Sequence, residues 1–204
     1  MNTKTIMIFV AVTLGILIGV GALLTQFSTS TEKPVSDIAG SSLHVQGSGS
    51  IEIVEFSDFQ CPACFSVQAP LKELLTKYEG KVKFVYRHFP LTQIHKNAQI
   101  SAQAAEAAGI QGKFFEMHDK LFENQVSWAE LADPKETFAK YSEDLGMDKA
   151  KFVIDMESQA VKDIVAKDAL AANQNRIGGT PTFYVNGVAT DYPKIESKIV
   201  ELSK

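Results

Sequence analysis

Apolar residues fall along this chain in three rhythms: an unbroken run, a period of two, and a period near 3.6. The unbroken run comes first. Residues 5–26 carry no charge and are almost wholly apolar, and Lys4 is the only charged side chain before them. About 20 apolar residues suffice to span the hydrocarbon core of a bilayer, and a buried core helix would show a polar face that this segment lacks. Residues 1–27 therefore read as an uncleaved membrane anchor, a single transmembrane helix, with a cleaved secretory signal as the competing reading. Val20-Gly21-Ala22 makes a poor cleavage site, and Leu23 and Leu24 carry the apolar run past it. Lys4 and the terminal amine should stay cytoplasmic, which puts everything after Phe27 outside. With no cysteine in this stretch, a lipid anchor on cysteine is not expected.

Residues 28–49 are rich in Ser, Thr and Gly and include Pro34, so residues 28–42 read as a linker and the folded domain as residues 43–204. A short strand is expected at 43–46. Ile51-Glu52-Ile53-Val54-Glu55-Phe56 is β-rich and apolar apart from its two glutamates, a central strand, and the period of two appears at Lys81-Val82-Lys83-Phe84-Val85-Tyr86-Arg87, a second one. Between them a helix should run over residues 61–78, with Pro62 in its first turn, a kink at Pro70 and a stop at Gly80. Strand, helix and strand imply a parallel pair with a right-handed crossover.

From residue 94 to 175 the rhythm is helical. Ala98, Ala102 and Ala105 mark one helix; Phe114, Met117 and Leu121 mark a second. Asp133-Pro134-Lys135-Glu136 reads as an N-cap, a proline at the first helical position and a box-closing Glu, ahead of Phe138, Tyr141 and Leu145. Gly146 stops that helix; residues 147–156 form a short one, and Val161, Ile164, Val165 and Asp168 begin a longer one. Strands return at Thr182-Phe183-Tyr184-Val185 and Val188-Ala189-Thr190, joined by the type I′ turn signal Asn186-Gly187. Pro193 opens a last helix with Ile195, Ile199 and Leu202 on one face. The order is β-α-β, a helical block, then β-β-α: an α/β fold with a helical insertion at about 94–175.

Composition changes little, with 45% hydrophobic and 22% charged residues. A net charge of −4, with no basic cluster, argues against a nucleic-acid partner. The two cysteines carry far more. Cys61-Pro62-Ala63-Cys64 holds the only pair in 204 residues. As a structural staple it is weak, since closing a four-residue loop contributes only about 2 kcal/mol against roughly 3 for fifteen residues. As a metal site it lacks partners: there is no second CxxC, and His44 and His88 are not at ligand spacing. A redox dithiol remains, and outside the cytoplasm disulfides persist.

The pair falls just after a central strand, at a helix start, where partial positive charge favours a thiolate. Cys61 should therefore have the lowered pKa, meet solvent and form the mixed disulfide; Cys64, one turn in, is shielded and completes the exchange. Glu55 shares a strand face with Ile51 and Ile53, so its pKa should be raised, and it can relay a proton to or from Cys64. The competing reading is a strand-end glutamate open to water. Gly179-Thr180-Pro181-Thr182 precedes the hairpin, and alone it would be an ordinary strand-entry proline.

Taken together, Phe59-Gln60-Cys61-Pro62-Ala63-Cys64, Gly179-Thr180-Pro181-Thr182-Phe183 and the helical block between them resemble the DsbA-type thiol:disulfide oxidoreductases of the thioredoxin superfamily. The resemblance spans residues 43–204. It implies a thioredoxin fold with an inserted helical subdomain, a cis Pro181 against the disulfide, and substrate binding along Thr180 and Pro181 beside Pro62 and Ala63. Glu55 matches the family's buried acid. Single-pass anchored forms resemble oxidases of Gram-positive bacteria, which implies a cell-membrane location with the catalytic domain outside. Implied partners are exported proteins with cysteines and a membrane protein that recycles the pair. No cofactor, metal or oligomerisation module is expected, so the chain should act as a monomer. Ala63 departs from strongly oxidising members, which carry His there, and a weaker oxidant is expected. Alternatives are a reductase or isomerase, a soft-metal binder holding two thiolates, or a chaperone gripping chains beside Pro181. His88, His95 and His118 are read as packing or surface residues.

Overall fold

The computed structural model describes residues 44–204, with Asn2 and residues 38–40 ahead of them; the expected anchor and most of the linker lie outside the described residues. Among those residues no helix is long and apolar enough to cross a membrane. Five strands, β1 (Val45–Gln46), β2 (Ile51–Ser57), β3 (Val82–His88), β4 (Thr182–Val185) and β5 (Val188–Ala189), form one sheet in the order β1-β3-β2-β4-β5. Central β2 runs parallel to β3 and antiparallel to β4, which is the mixed sheet of the thioredoxin-like α/β fold.

The period of two explains the layering. Ile51, Ile53, Glu55 and Ser57 pair in register with Val82, Phe84, Tyr86 and His88, so all eight share one face. That face packs into the larger core, together with Leu71 of α1 (Pro62–Lys77) and with Ile195 and Ile199 of α8 (Ile195–Leu202). Val54, Phe56 and Val85 face the other way, onto Ile38, Phe89, Ala172 and Ile177. Both faces of β2 are covered, so the strand is apolar throughout except at the glutamates and Ser57.

Between β3 and β4 stand α2 (Ala98–Ile110), α3 (Phe114–Glu123), the single turn α4 (Gln125–Trp128), α5 (Lys135–Asp144), α6 (Lys149–Glu157) and α7 (Gln159–Gln174). The sequence pattern did not signal α4. Buried alanines at 98, 102, 104, 105, 107 and 108 let α3, α6 and α7 approach α2 closely. The capping box at 133–136 does not form. The Asp133 carboxylate instead accepts from Lys135 N at 3.0 Å, and Glu136 pairs with Lys149, whose long cation reaches it more readily than a backbone amide. α1 continues through Pro70 to Lys77. Asn186 (φ 47°) and Gly187 (φ 78°) take the left-handed conformations that a type I′ hairpin needs.

A buried ion pair joins the helical block to the sheet. Arg87 Nε donates to Asp168 Oδ1 at 2.7 Å, and Asp168 Oδ2 accepts the backbone N–H of His88 at 3.0 Å. Both side chains are almost fully enclosed. Removing the acid strands a buried guanidinium and an amide, so Asp168→Ala should cost about 3–5 kcal/mol. Breaking the exposed pair Lys194–Asp191 should leave stability nearly unchanged, because solvent screens it. Urea midpoints followed by circular dichroism measure both changes.

Candidate active site

β2 ends at Ser57, and the chain turns at once into α1. Cys61 closes the turn by donating its N–H to the Asp58 carbonyl at 3.0 Å, then caps the helix with extended backbone (φ −70°, ψ 122°). Pro62 takes the first helical position, where a missing N–H has no cost. The free amides of this first turn leave partial positive charge beside Cys61 Sγ.

On the other side of that sulfur lies the loop before β4. Cys61 Sγ donates to the Thr180 carbonyl at 3.5 Å, and the Thr180–Pro181 peptide bond is cis. Residues 119 apart in sequence therefore meet at one atom. Pro62 and Ala63 are exposed beside Cys61, while Thr180 and Pro181 are half-buried. The expectation that Cys61 meets solvent needs correction, because it is only 6% exposed. The Thr180 loop covers the sulfur from the side that helix geometry alone leaves open.

Both thiols are free. The Cys64 thiol donating to Cys61 holds the latter down to about 5 against the opposing cost of burial; the Thr180 side chain and the amides of Cys64 and Ala63 add to the effect. Cys64 is fully enclosed. Burial, then the proximity of Cys61 and the negative charge of Glu55, push it far above the ordinary thiol range. One turn of helix thus separates a thiolate from a thiol.

Glu55 is wholly buried, not a strand-end residue open to water. Burial raises it to about 7; Ser57 and Gln68 oppose that rise, and the charge on Cys61 adds to it. Gln68 Nε2, two turns along α1, donates to Glu55 Oε1 at 3.1 Å. Gln68 also lines a groove of about 550 Å³ between α1 and α3, walled by Phe65, Leu75, Phe115 and Phe122.

Several residues that frame the site gave no recognisable motif. Gln125 of α4 donates to the carbonyls of Phe59 and Cys61 at 2.7 and 3.0 Å. Gln60 accepts from Asn97 N at 2.6 Å and donates to Ala129 O at 2.7 Å. Asp58 accepts from Gln60 N, Leu91 N and His95 Nδ1 at 2.7–2.9 Å. The helical block clamps the loop that carries the cysteines. The only signal was a polar residue at each second position, Asp58 and Gln60, in an otherwise apolar stretch.

The histidines also sort themselves. His44 Nε2 and His88 Nε2 both donate to Glu106 Oε1, at 2.6 and 2.8 Å, and all three are buried. These are ligand-type groups brought together from distant positions, which residue spacing did not show. Their separations are those of hydrogen bonds, and two donors hold the Glu106 carboxyl down to about 2 against burial. Neither cysteine belongs to such a cluster among the described residues. His118 is buried and neutral in character, its pKa lowered by burial, with Nδ1 on Asp119 at 3.0 Å.

Comparison with known proteins agrees with this geometry. The family described as Thioredoxin matches residues 46–202. Among curated proteins, the Na(+)/H(+) antiporter NhaA 3 of Salinispora tropica is 40% identical over 146 residues, covering 71% of this chain and 22% of that protein. NhaA 1 of Salinispora arenicola gives the same identity and coverage, so this chain spans about a fifth of these relatives. Among solved structures, oxidised BdbD from Bacillus subtilis superposes with a TM-score of 0.69 at 22% identity, covering 77% of this chain and 90% of that one. DsbA from Xylella fastidiosa gives 0.63 at 21%, covering 77% and 89%. The chain belongs to the thioredoxin family, and its fold is that of the DsbA-type thiol:disulfide oxidoreductases.

Proposed function

We propose that this protein is a membrane-anchored, extracytoplasmic thiol:disulfide oxidoreductase that donates the Cys61–Cys64 disulfide to reduced exported proteins. The observation that carries the reading is the meeting of Cys61 Sγ, at the start of α1, with the Thr180 carbonyl that precedes cis Pro181. A thiolate there is reachable from one side and lies beside the Thr180 backbone, along which an extended chain can pair. Residues 5–26 supply the anchor, and a membrane redox protein recycles the pair. The chain works as a monomer.

The exchange balances as follows. A substrate thiolate attacks Cys61 Sγ of the disulfide, the Cys61–Cys64 bond breaks, and Cys64 leaves as a thiolate. Its high proton affinity draws a proton from the neutral carboxyl of Glu55. A second substrate thiolate then attacks the substrate's own sulfur in the mixed disulfide, and Cys61 leaves. Two substrate thiols become one disulfide, and the protein holds a Cys61 thiolate and a Cys64 thiol. Cys61 is the better leaving group because its thiolate is the more stable, which favours completion.

Cys64→Ala should accumulate a Cys61-linked mixed disulfide with an unfolded exported protein whose cysteines carry glutathione mixed disulfides, the Cys61 thiolate attacking the substrate sulfur and glutathione leaving as thiolate, on non-reducing gels, while Cys61→Ala forms none. Absence of the adduct from Cys64→Ala contradicts the reading.

Stabilising Cys61 as thiolate stabilises the reduced form and raises the reduction potential. A pKa of about 5 lies between those of thioredoxin, about 7, and DsbA, about 3.5. A glutathione titration should therefore place the potential between about −270 and about −120 mV, the respective values for those two proteins. Ala63 offers no donor that would carry it to the oxidising end. A value at or below thioredoxin's assigns the protein to disulfide reduction instead.

Glu55 sets a pH dependence of stability. Its folded pKa is raised, from 4.5 to about 7, so the folded state holds a proton that the unfolded state has released between those values. Stability contributed by the neutral carboxyl is complete below about pH 4.5 and falls as pH rises to about 7, by roughly 3 kcal/mol. Glu55→Gln removes the loss. In the disulfide form, where no thiolate titrates, its stability relative to the parent should grow by roughly that amount between pH 4.5 and 8 in urea unfolding.

A further inference from the structure

The proton that Glu55 gives to Cys64 needs a path, and the strand register supplies a residue for it. Gln68 occupies Glu55 Oε1 as a donor, so the acidic proton belongs on Oε2, which is buried and has no hydrogen-bond partner of its own. Two residues further along the same strand face stands Ser57, 1% exposed, its hydroxyl buried and, like Glu55 Oε2, without a hydrogen-bond partner. Cys64 packs onto this face from α1, in one core cluster with Ile53 and Tyr86. The Ser57 hydroxyl is near enough to three titratable groups to lower the pKa of Glu55, of Cys64 and of Tyr86. A serine hydroxyl donates one proton and accepts through two lone pairs, and it rotates freely between them. It is the smallest side chain that can receive from a carboxyl and give to a thiolate in one motion.

We propose that Ser57 is the positioning residue that passes the proton between Glu55 and Cys64. As Cys64 leaves the disulfide, the Ser57 hydroxyl gives its hydrogen to the Cys64 thiolate and takes the Glu55 proton in its place. Glu55 ends as carboxylate, Ser57 is unchanged, and Cys64 ends as thiol. Reoxidation runs the same transfer backwards.

Other titratable groups surround the site. Cys61 lies across α1, Tyr86 and His88 lie on β3 in register with Glu55 and Ser57, Asp58 follows Ser57, and His118 and Tyr192 approach from α3 and the turn before α8. In the disulfide form Cys61 does not titrate. Burial raises both tyrosines and lowers His118. Glu55, on the same strand face as Ser57, is placed to lose a proton near pH 7.

The inference rests on Glu55 as the acid, though not on what the natural substrate is, and dithiothreitol separates the two. The intact protein in its disulfide form is reduced by dithiothreitol across pH 5–9, and the rate is expressed per dithiothreitol thiolate. The parent rate should fall as pH passes about 7, because the acid is spent. Ser57→Ala should be about tenfold slower below that point, a modest share of what general acid catalysis contributes, and should match the parent at pH 9. Ser57→Thr, which keeps the hydroxyl, should restore most of the loss. Ser57→Ala in a Glu55→Gln background should add nothing further. Equal slowing at every pH, no slowing, or a Thr variant as slow as Ala overturns the proposal. Failure to oxidise exported proteins leaves this profile intact and counts only against the proposed donor role.

Discussion

One turn of helix separates two thiols into opposite electrostatic environments, and the rest of this structure serves that separation. Cys61 sits where α1 begins, with unpaired amides on one side and the Thr180 loop on the other. Cys64, three residues on, lies against the sheet with no exposed surface. Partial positive charge and a neighbouring thiol favour charge on the first; desolvation forbids it on the second. In the proposed exchange, the difference between the two proton affinities decides which sulfur meets a substrate and which one leaves and needs a proton.

Holding such a separation requires a rigid frame, because the effect of amides and dipoles falls off within a helical turn. The frame comes from both halves of the fold. β2 carries Glu55 and Ser57 beneath α1 through simple alternation, and the register with β3 adds Tyr86 and His88 to the same face. The helical block grips the turn between strand and helix through Gln125, Asn97 and Ala129, and Asp58 ties it to Leu91 and His95. The buried Arg87–Asp168 pair then locks α7 to β3. Asp58, Gln60, Asn97, Gln125, Arg87 and Asp168 each complete a contact that fixes the cysteine loop or the sheet beneath it.

Much of this was legible before the structure. Alternation around Ile51 and Ile53 placed Glu55 inside, the closely spaced cysteines after a strand placed them at a helix start, and Asn186-Gly187 marked the hairpin that brings Thr180 and Pro181 back to the site. These are local signals, set by backbone period and turn chemistry. What escaped were contacts between distant segments. Gln125 and Asn97 look like ordinary surface amides in sequence, and nothing local tells that their partners are carbonyls and a glutamine near Cys61. His44, His88 and Glu106 converge only because β1, β3 and α2 pack together. The capping box at 133–136 failed because a nearby lysine outcompeted a backbone amide for Glu136. Cys61 proved more enclosed than expected, since its cover comes from a loop 119 residues away.

The most direct test of the account is an ultraviolet thiolate titration of the reduced protein between pH 3 and 10. One thiolate should appear with a midpoint near 5, and the second should stay protonated throughout the range. A single midpoint near 9 for both cysteines would contradict the account, because it would mean that the helix start and the Thr180 loop do not distinguish the two sulfurs.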